Sequence, residues 1–103
     1  MSAEYFVELG GDSEKLMHVR FTSRRRDITN YAVLLTIEQA GAIHTVRLYD
    51  GAHGINEMHR YTRIAGKQLA EVFHSGTLGE GMRAATEQIK STHQSMIEAW
   101  QAQ

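Results

Sequence analysis

The segment ITNYAVLLTIE, residues 28–38, decides the fold of this chain. It is rich in β-branched and aromatic residues, and its middle, YAVLL, is apolar without a break. Such side chains pack well on a pleated sheet, and an unbroken apolar run is typical of a strand covered on both faces. The segment therefore predicts a central β-strand.

A second strand follows after the short turn Ala40-Gly41. The segment IHTVRLY, residues 43–49, alternates between two sets of side chains, and alternation with period two indicates a strand. One set is Ile43, Thr45, Arg47 and Tyr49, and the other is His44, Val46 and Leu48. Together with residues 28–38, this segment predicts an antiparallel hairpin.

Shorter segments on either side of this hairpin extend the predicted sheet. YFVEL, residues 5–9, stops at Gly10-Gly11, where glycine accepts the positive φ of a turn. KLMHVRF, residues 15–21, and HRYTRI, residues 59–64, are compatible with strands. QLAEVF, residues 68–73, fits a helix or a strand equally well.

The C-terminal part predicts one long amphipathic helix. Thr77 is suited to cap a helix that begins near Gly79 or Glu80. Apolar residues then recur at helical spacing on one face: Met82, Ala85, Ile89, Met96 and Trp100. We therefore expect an α+β fold, with an antiparallel sheet of about four to five strands packed against this helix.

Composition limits the chain to one modest core. It has 103 residues, 42% of them hydrophobic, and no proline or repeat marks a linker, so residues 1–103 are predicted to form a single domain. There is no cysteine, no apolar run long enough to cross a membrane, and no signal-peptide pattern at the N-terminus. These features predict a cytoplasmic protein without a membrane partner. The net charge of −1 does not by itself indicate a nucleic-acid-binding domain.

The most basic run of the chain is Arg24-Arg25-Arg26, which lies between two predicted strands. Each guanidinium offers a fork of donors suited to a phosphate, so the run could contact a nucleic-acid backbone. Alternatively, it is a solvated hairpin tip that keeps a sheet edge from pairing with another chain.

The segment YDGAHGINEMHRY, residues 49–61, concentrates groups that handle protons. Asp50-Gly51 predicts a turn, which places His53 on a loop beyond the end of a strand. Histidine is suited to general acid–base catalysis near neutral pH, so His53 or His59 could transfer a proton, with Asp50 orienting one of them. Tyr61, like Tyr49, could donate a proton or stack on a base.

The same segment carries arginines that could stabilise charge on a phosphate, Arg60 and Arg63. These residue types suit metal-free cleavage of RNA, in which a base removes the 2′-hydroxyl proton and an acid protonates the leaving oxygen. Two alternatives remain open. His53 and His59 with Asp50 or Glu57 could bind a metal ion, or the loop could be a polar turn that only satisfies its own backbone.

The run VRLYDGAHGINEMHRY, residues 46–61, resembles a segment of the TumE-like bacterial toxins and their uncharacterised relatives. In that family a strand ends in an Arg-x-Tyr-Asp-x-Ala-His type motif, followed by further histidines. The matching residues are Arg47, Tyr49, Asp50, Ala52, His53 and His59. The resemblance implies a toxin–antitoxin component that acts on RNA and is neutralised by an antitoxin protein.

Two functions are therefore predicted. In the first, a metal-free and cofactor-free ribonuclease uses the catalytic residues His53, Asp50, His59 and Tyr61, and its phosphate contacts are Arg24, Arg25, Arg26, Arg47, Arg60 and Arg63. In the second, a module without catalysis dimerises or binds a partner protein through its C-terminal helix, whose stripe carries Met82, Met96 and Trp100.

Overall fold

The computed structural model describes residues 1–103 as one antiparallel sheet and one helix. The elements are β1 (Ser2–Leu9), β2 (Asp12–Arg24), β3 (Asp27–Gln39), β4 (Ala42–Asp50), β5 (Asn56–Thr62), β6 (Gly66–Lys67), β7 (Glu71–His74) and α1 (Leu78–Gln101). The α+β class and the C-terminal helix are confirmed, while the sheet has seven strands instead of four to five. The excess comes from two short strands, since β6 has only two residues and β7 lies in the segment that fitted helix or strand equally well.

The sheet is a meander in which each strand of β1 to β5 pairs antiparallel with the next. Both β6 and β7 pair with the remaining side of β5. The first three hairpins turn through two residues with positive φ, at Gly10-Gly11, Arg25-Arg26 and Ala40-Gly41. Positive φ at both central positions matches the right-handed twist of the flanking strands. The register set at each turn then shifts once along the hairpin, between Glu8 and Leu9, Thr22 and Ser23, and Leu35 and Thr36.

Helix α1 packs on one face of the sheet, against β3, β4, β5 and β7. We call this the covered face and the other the open face. The core lies between helix and sheet and includes Val33, Leu35, Ile37, Ile89 and Trp100, each no more than 5% exposed. The apolar stripe of the helix is therefore buried within the chain. No helix is long and apolar enough to span a membrane.

The predicted alternation of β4 holds only in part, because the register with β3 shifts between Leu35 and Thr36. Arg47 lies opposite Leu35 and Thr45 opposite Thr36, which leaves Val46 as an extra residue. Such a bulge reverses the faces on one side of it. Arg47 therefore shares the covered face with Tyr49, while Thr45 shares the open face with Thr36.

The start of α1 confirms Thr77 as the cap, with the first helical residue at Leu78. The Thr77 hydroxyl oxygen accepts from the Glu80 backbone N–H at 3.1 Å, and the Glu80 carboxylate accepts from the Thr77 backbone N–H at 2.8 Å. This reciprocal pair satisfies two N–H groups that have no partner within the helix.

Candidate acid–base site on the open face

The open face carries two rows of side chains that run across five strands. The strand registers set the first row as Glu4, Arg20, Ala32, Asp50 and Glu57, and the second as Phe6, His18, Leu34, Leu48 and His59. Both rows are apolar in the middle, at Ala32 in the first and at Leu34 and Leu48 in the second, and ionisable side chains flank that middle on both sides. The open face thus has an apolar floor on β3 and β4, with ionisable groups on either side of it.

A concavity of about 650 Å³ lies over this floor. Residues from β1, β2, β3, β4 and β6 line it, among them Arg20, Asn30, Leu48, Asp50 and Lys67. Strands at opposite ends of the sheet can line one concavity only where the sheet is curved. A substrate could therefore lie across the strands with a carboxylate and two cationic side chains in reach.

His59 is held in one orientation next to Asp50, which lines this concavity, although His59 itself is not among the lining residues. Its Nδ1 lies 2.9 Å from the Gln68 carbonyl oxygen, and because a carbonyl oxygen only accepts, Nδ1 is the donor. Its Nε2 lies 3.8 Å from Oδ2 of Asp50, and the two side chains are 15% and 14% exposed. The backbone contact leaves Nε2 of a neutral imidazole with its lone pair free to accept a proton.

Asp50 is fixed by the turn that follows β4. Its Oδ1 accepts from the Ala52 backbone N–H at 3.2 Å. Gly51 is needed next to it, since a Cβ there would lie 2.8 Å from Leu78 and 2.9 Å from Tyr31. The predicted turn thus positions the carboxylate beside the histidine.

Tyr61 lies two residues beyond His59 on β5 and so points to the same face. Burial raises the pKa of Tyr61, and the charge of Asp50 raises it further. Its hydroxyl therefore stays protonated at neutral pH and can act as a donor.

His53 stands apart from this group. It lies on the predicted loop, its side chain is 79% exposed, and its Nδ1 is 3.1 Å from Oε1 of Glu57. His53 and His59 thus contact different carboxylates. Nowhere in residues 1–103 do three histidine, aspartate or glutamate side chains converge in a way that could hold a metal ion.

Of the six arginines predicted to contact phosphate, three lie on the covered side of the sheet and three at the tip of a hairpin. Arg47 and Arg60 are directly opposite each other on β4 and β5, on the covered face. Arg63 lies over the Trp100 ring, 5.3 Å from its centroid. Arg24, Arg25 and Arg26 are exposed at the tip of the β2–β3 hairpin.

A second histidine–carboxylate pair, which the sequence pattern does not reveal, lies on the open face. His18 Nε2 lies 2.7 Å from Oε2 of Glu4, and Phe6 stacks on the His18 ring with centroids 4.3 Å apart. Arg20 and Lys67, which line the concavity, were not predicted from the sequence either. The β1–β2 register brings His18 to Glu4 and Phe6, and the irregular pattern of residues 15–21 did not reveal it.

Comparison with known proteins identifies a family for the whole chain. The model of a domain of unknown function, DUF7718, matches residues 1–103. No curated protein and no solved structure matches the chain.

Proposed function

The chain belongs to the DUF7718 family, a domain of unknown function, and from its open face we propose that it cleaves RNA without a metal ion. One observation carries the proposal: His59 is held by the Gln68 carbonyl with Nε2 3.8 Å from Asp50, and Asp50 lines a concavity. An oriented imidazole with a carboxylate neighbour is the usual arrangement of a general base.

In the proposed reaction, His59 Nε2 takes the proton of the ribose 2′-hydroxyl. The 2′-oxygen attacks the adjacent phosphorus, the bond from phosphorus to the 5′-oxygen breaks, and Tyr61 donates its proton to that oxygen. The products are a 2′,3′-cyclic phosphate and a 5′-hydroxyl. The His59 imidazolium then returns a proton to the Tyr61 phenolate through solvent.

Tyr61 suits the acid role despite its raised pKa. A phenol that stays protonated at neutral pH can still transfer its proton to an alkoxide, which is a far stronger base. Lys67 and Arg20 line the same concavity and would stabilise the charge on the phosphoryl oxygens. In this proposal Lys67 and Arg20 contact the phosphate, in place of the arginines that the sequence predicted for it, Arg47, Arg60 and Arg63.

His59 replaces His53 as the proposed base. His53 is far more exposed and has only the Glu57 contact, so nothing fixes its ring beside the concavity. The alternative of a partner bound by the helix stripe is less favoured, because Met96 and Trp100 are only 7% and 5% exposed.

The test is cleavage of a single-stranded RNA oligonucleotide by the purified protein in excess EDTA. We expect His59→Ala and Tyr61→Phe each to lose about 100-fold or more of the rate, the usual contribution of an acid or base. His53→Ala is the matched control and should stay within a few-fold of wild type. Circular dichroism checks that each variant is folded.

Absence of cleavage by the wild type, or an undiminished rate in His59→Ala, would refute the proposal. The toxin–antitoxin relation is proposed on the sequence resemblance and is tested separately, by growth of a bacterial host after induced expression. Arrest by the wild type that is lost in His59→Ala would support it, and growth unaffected by either protein would contradict it.

A further inference from the structure

We propose that Arg47 and Arg60 form a binding site for a phosphate dianion, as inorganic phosphate or the phosphate of a monoester. The pair lies on the covered face, on the other side of the sheet from His59, so this inference does not depend on RNA cleavage. It rests on three features: the register of the pair, the unpaired Nε of Arg47, and the groups around both side chains.

The register places two positive charges side by side. Arg47 and Arg60 are directly opposite each other on neighbouring strands. Side chains in such positions have Cβ atoms about 5 Å apart, and like charges there destabilise a sheet. Arg47 lies opposite Leu35 on β3, which places it on this face. A bound anion would balance the two positive charges and remove their repulsion.

Although its side chain hydrogen-bonds with Tyr49, Arg47 has one donor without a partner. Its Nε is buried and has no hydrogen-bond partner, and none of the ion pairs in the chain includes Arg47. A buried donor without an acceptor costs about 1–3 kcal/mol. An oxyanion bound between the guanidiniums would supply the acceptor, since each guanidinium presents a planar fork that matches phosphate oxygens.

The neighbouring groups are compatible with an anion. Burial raises the pKa of Tyr49, and its side-chain hydrogen bond with Arg47 and the charges of Arg47 and Arg60 partly oppose this rise. The Tyr49 hydroxyl donates to Oε1 of Gln88 at 2.8 Å, and this hydrogen bond links Tyr49 to helix α1. The one competing carboxylate is Glu71, 3.3 Å from Arg60 Nε.

The Glu71 contact is weak enough for a ligand to displace. The Arg60 and Glu71 side chains are 57% and 55% exposed, and ion pairs at such exposure contribute little. Once Glu71 has moved away, two guanidinium charges remain, which matches a dianion better than the single charge of a phosphodiester. This match selects phosphate and phosphomonoesters as the ligand class.

The experiment titrates inorganic phosphate into the full chain by calorimetry, at ionic strength held constant with sodium chloride. Wild type should bind. Arg60→Gln should weaken binding at least about tenfold, the effect of removing one charged donor. Glu71→Gln should strengthen binding, because it frees Arg60.

Arg60→Gln and Glu71→Gln break the same exposed ion pair, so a change in stability would affect both variants alike. Opposite effects on phosphate affinity therefore report on binding and not on stability. Arg63→Gln serves as the control and should bind like the wild type. Arg47→Gln should abolish binding, and circular dichroism shows whether it folds.

A nucleoside monophosphate and an RNA oligonucleotide without terminal phosphates distinguish the sources of the phosphate. Binding of the monophosphate that Arg60→Gln weakens supports a monoester site. No binding of phosphate by the wild type, equal binding by wild type and Arg60→Gln, or binding of the RNA alone would overturn the proposal.

Discussion

Tyr31 on β3 donates its hydroxyl proton to Oδ1 of Asn56, the first residue of β5, at 2.7 Å. The Asn56 amide donates in turn to the carbonyl oxygens of Gly76 and Thr77, at 3.3 and 3.1 Å. Asn56 is only 2% exposed, and a buried amide is tolerated when its polar atoms are paired. This one side chain therefore joins the middle of the sheet to the start of the helix.

Tyr31→Phe should destabilise the protein by about 1–3 kcal/mol, because it leaves the buried Asn56 oxygen without its donor. Urea unfolding measures the change in the free energy of unfolding. Tyr5→Phe is the matched control, since Tyr5 is 44% exposed and its hydroxyl has no hydrogen bond within the chain, and it should change stability by less than about 0.5 kcal/mol. Equal effects of the two substitutions would contradict the role of the Tyr31–Asn56 bond.

Gly81→Ala should destabilise the protein although alanine favours helices. The Cβ of alanine at this position would overlap the side chain of Asn56. Gly79→Ala makes the same change two residues earlier, where the nearest side-chain atom, on Ile28, lies at an ordinary 3.6 Å. It should stabilise by about 0.5–1 kcal/mol through helix propensity. Thermal unfolding of the two variants should shift in opposite directions, and a gain in both would contradict the packing of Asn56 on the helix.

The cap of α1 should make stability depend on pH in the acidic range. The backbone N–H and hydroxyl of Thr77 lower the pKa of Glu80 below its ordinary 4.5. A lowered pKa stabilises the folded state above the unfolded-state pKa, and this contribution is lost as the pH falls through the folded-state value. Wild type should exceed Glu80→Gln in stability at pH 6, and the difference should shrink below pH 4.5.

Urea unfolding of both proteins between pH 6 and pH 3 measures this difference. Because the glutamine oxygen can still accept from Thr77, the comparison isolates the charge. A difference that stays constant over the range would show that the charge of Glu80 adds nothing to the cap.

Stability should also fall in alkali, because three tyrosines resist ionisation in the folded chain. Burial is the main cause that raises the pKa of Tyr31, Tyr49 and Tyr61 above the ordinary 10.0. A raised pKa contributes stability that is fully present below pH 10 and is lost as the pH rises through the folded-state value. The free energy of unfolding should therefore drop between pH 9 and pH 11, and it should drop less in Tyr31→Phe. An equal drop in both proteins would contradict the burial of Tyr31.

The sequence predicted best those elements whose pattern comes from local packing. Residues 28–38 form a strand, and the helix shows its cap at Thr77 and its apolar spacing, because each pattern records which side chains are buried. The unbroken apolar run predicted a strand covered on both faces, which was wrong, since the one helix covers a single face of the sheet. Strand β2 was predicted as residues 15–21 and spans Asp12–Arg24. Its ends are partly polar, and pairing on both sides keeps them in the sheet.

The site was harder to predict, because it depends on register. Asp50, His59 and Tyr61 could be named from their chemistry, and neighbouring strands bring them together. Arg47 stays on the face of Tyr49, as the alternation predicted, while the bulge in β4 moves Thr45 to the open face, and no pattern in residues 43–49 signals a bulge. His18 and Glu4 meet through the pairing of two strands, which composition does not reveal.

The order of elements also bears on how the chain folds as it is synthesised. All seven strands precede α1, so every strand of the sheet is synthesised before the helix that covers it. At about 5–20 residues per second, the 24 residues of the helix take roughly 1–5 seconds to add. Until the helix packs, Val33, Leu35 and Ile37 lack the cover that buries them in the folded chain. Transiently exposed apolar surface of this kind is prone to aggregation.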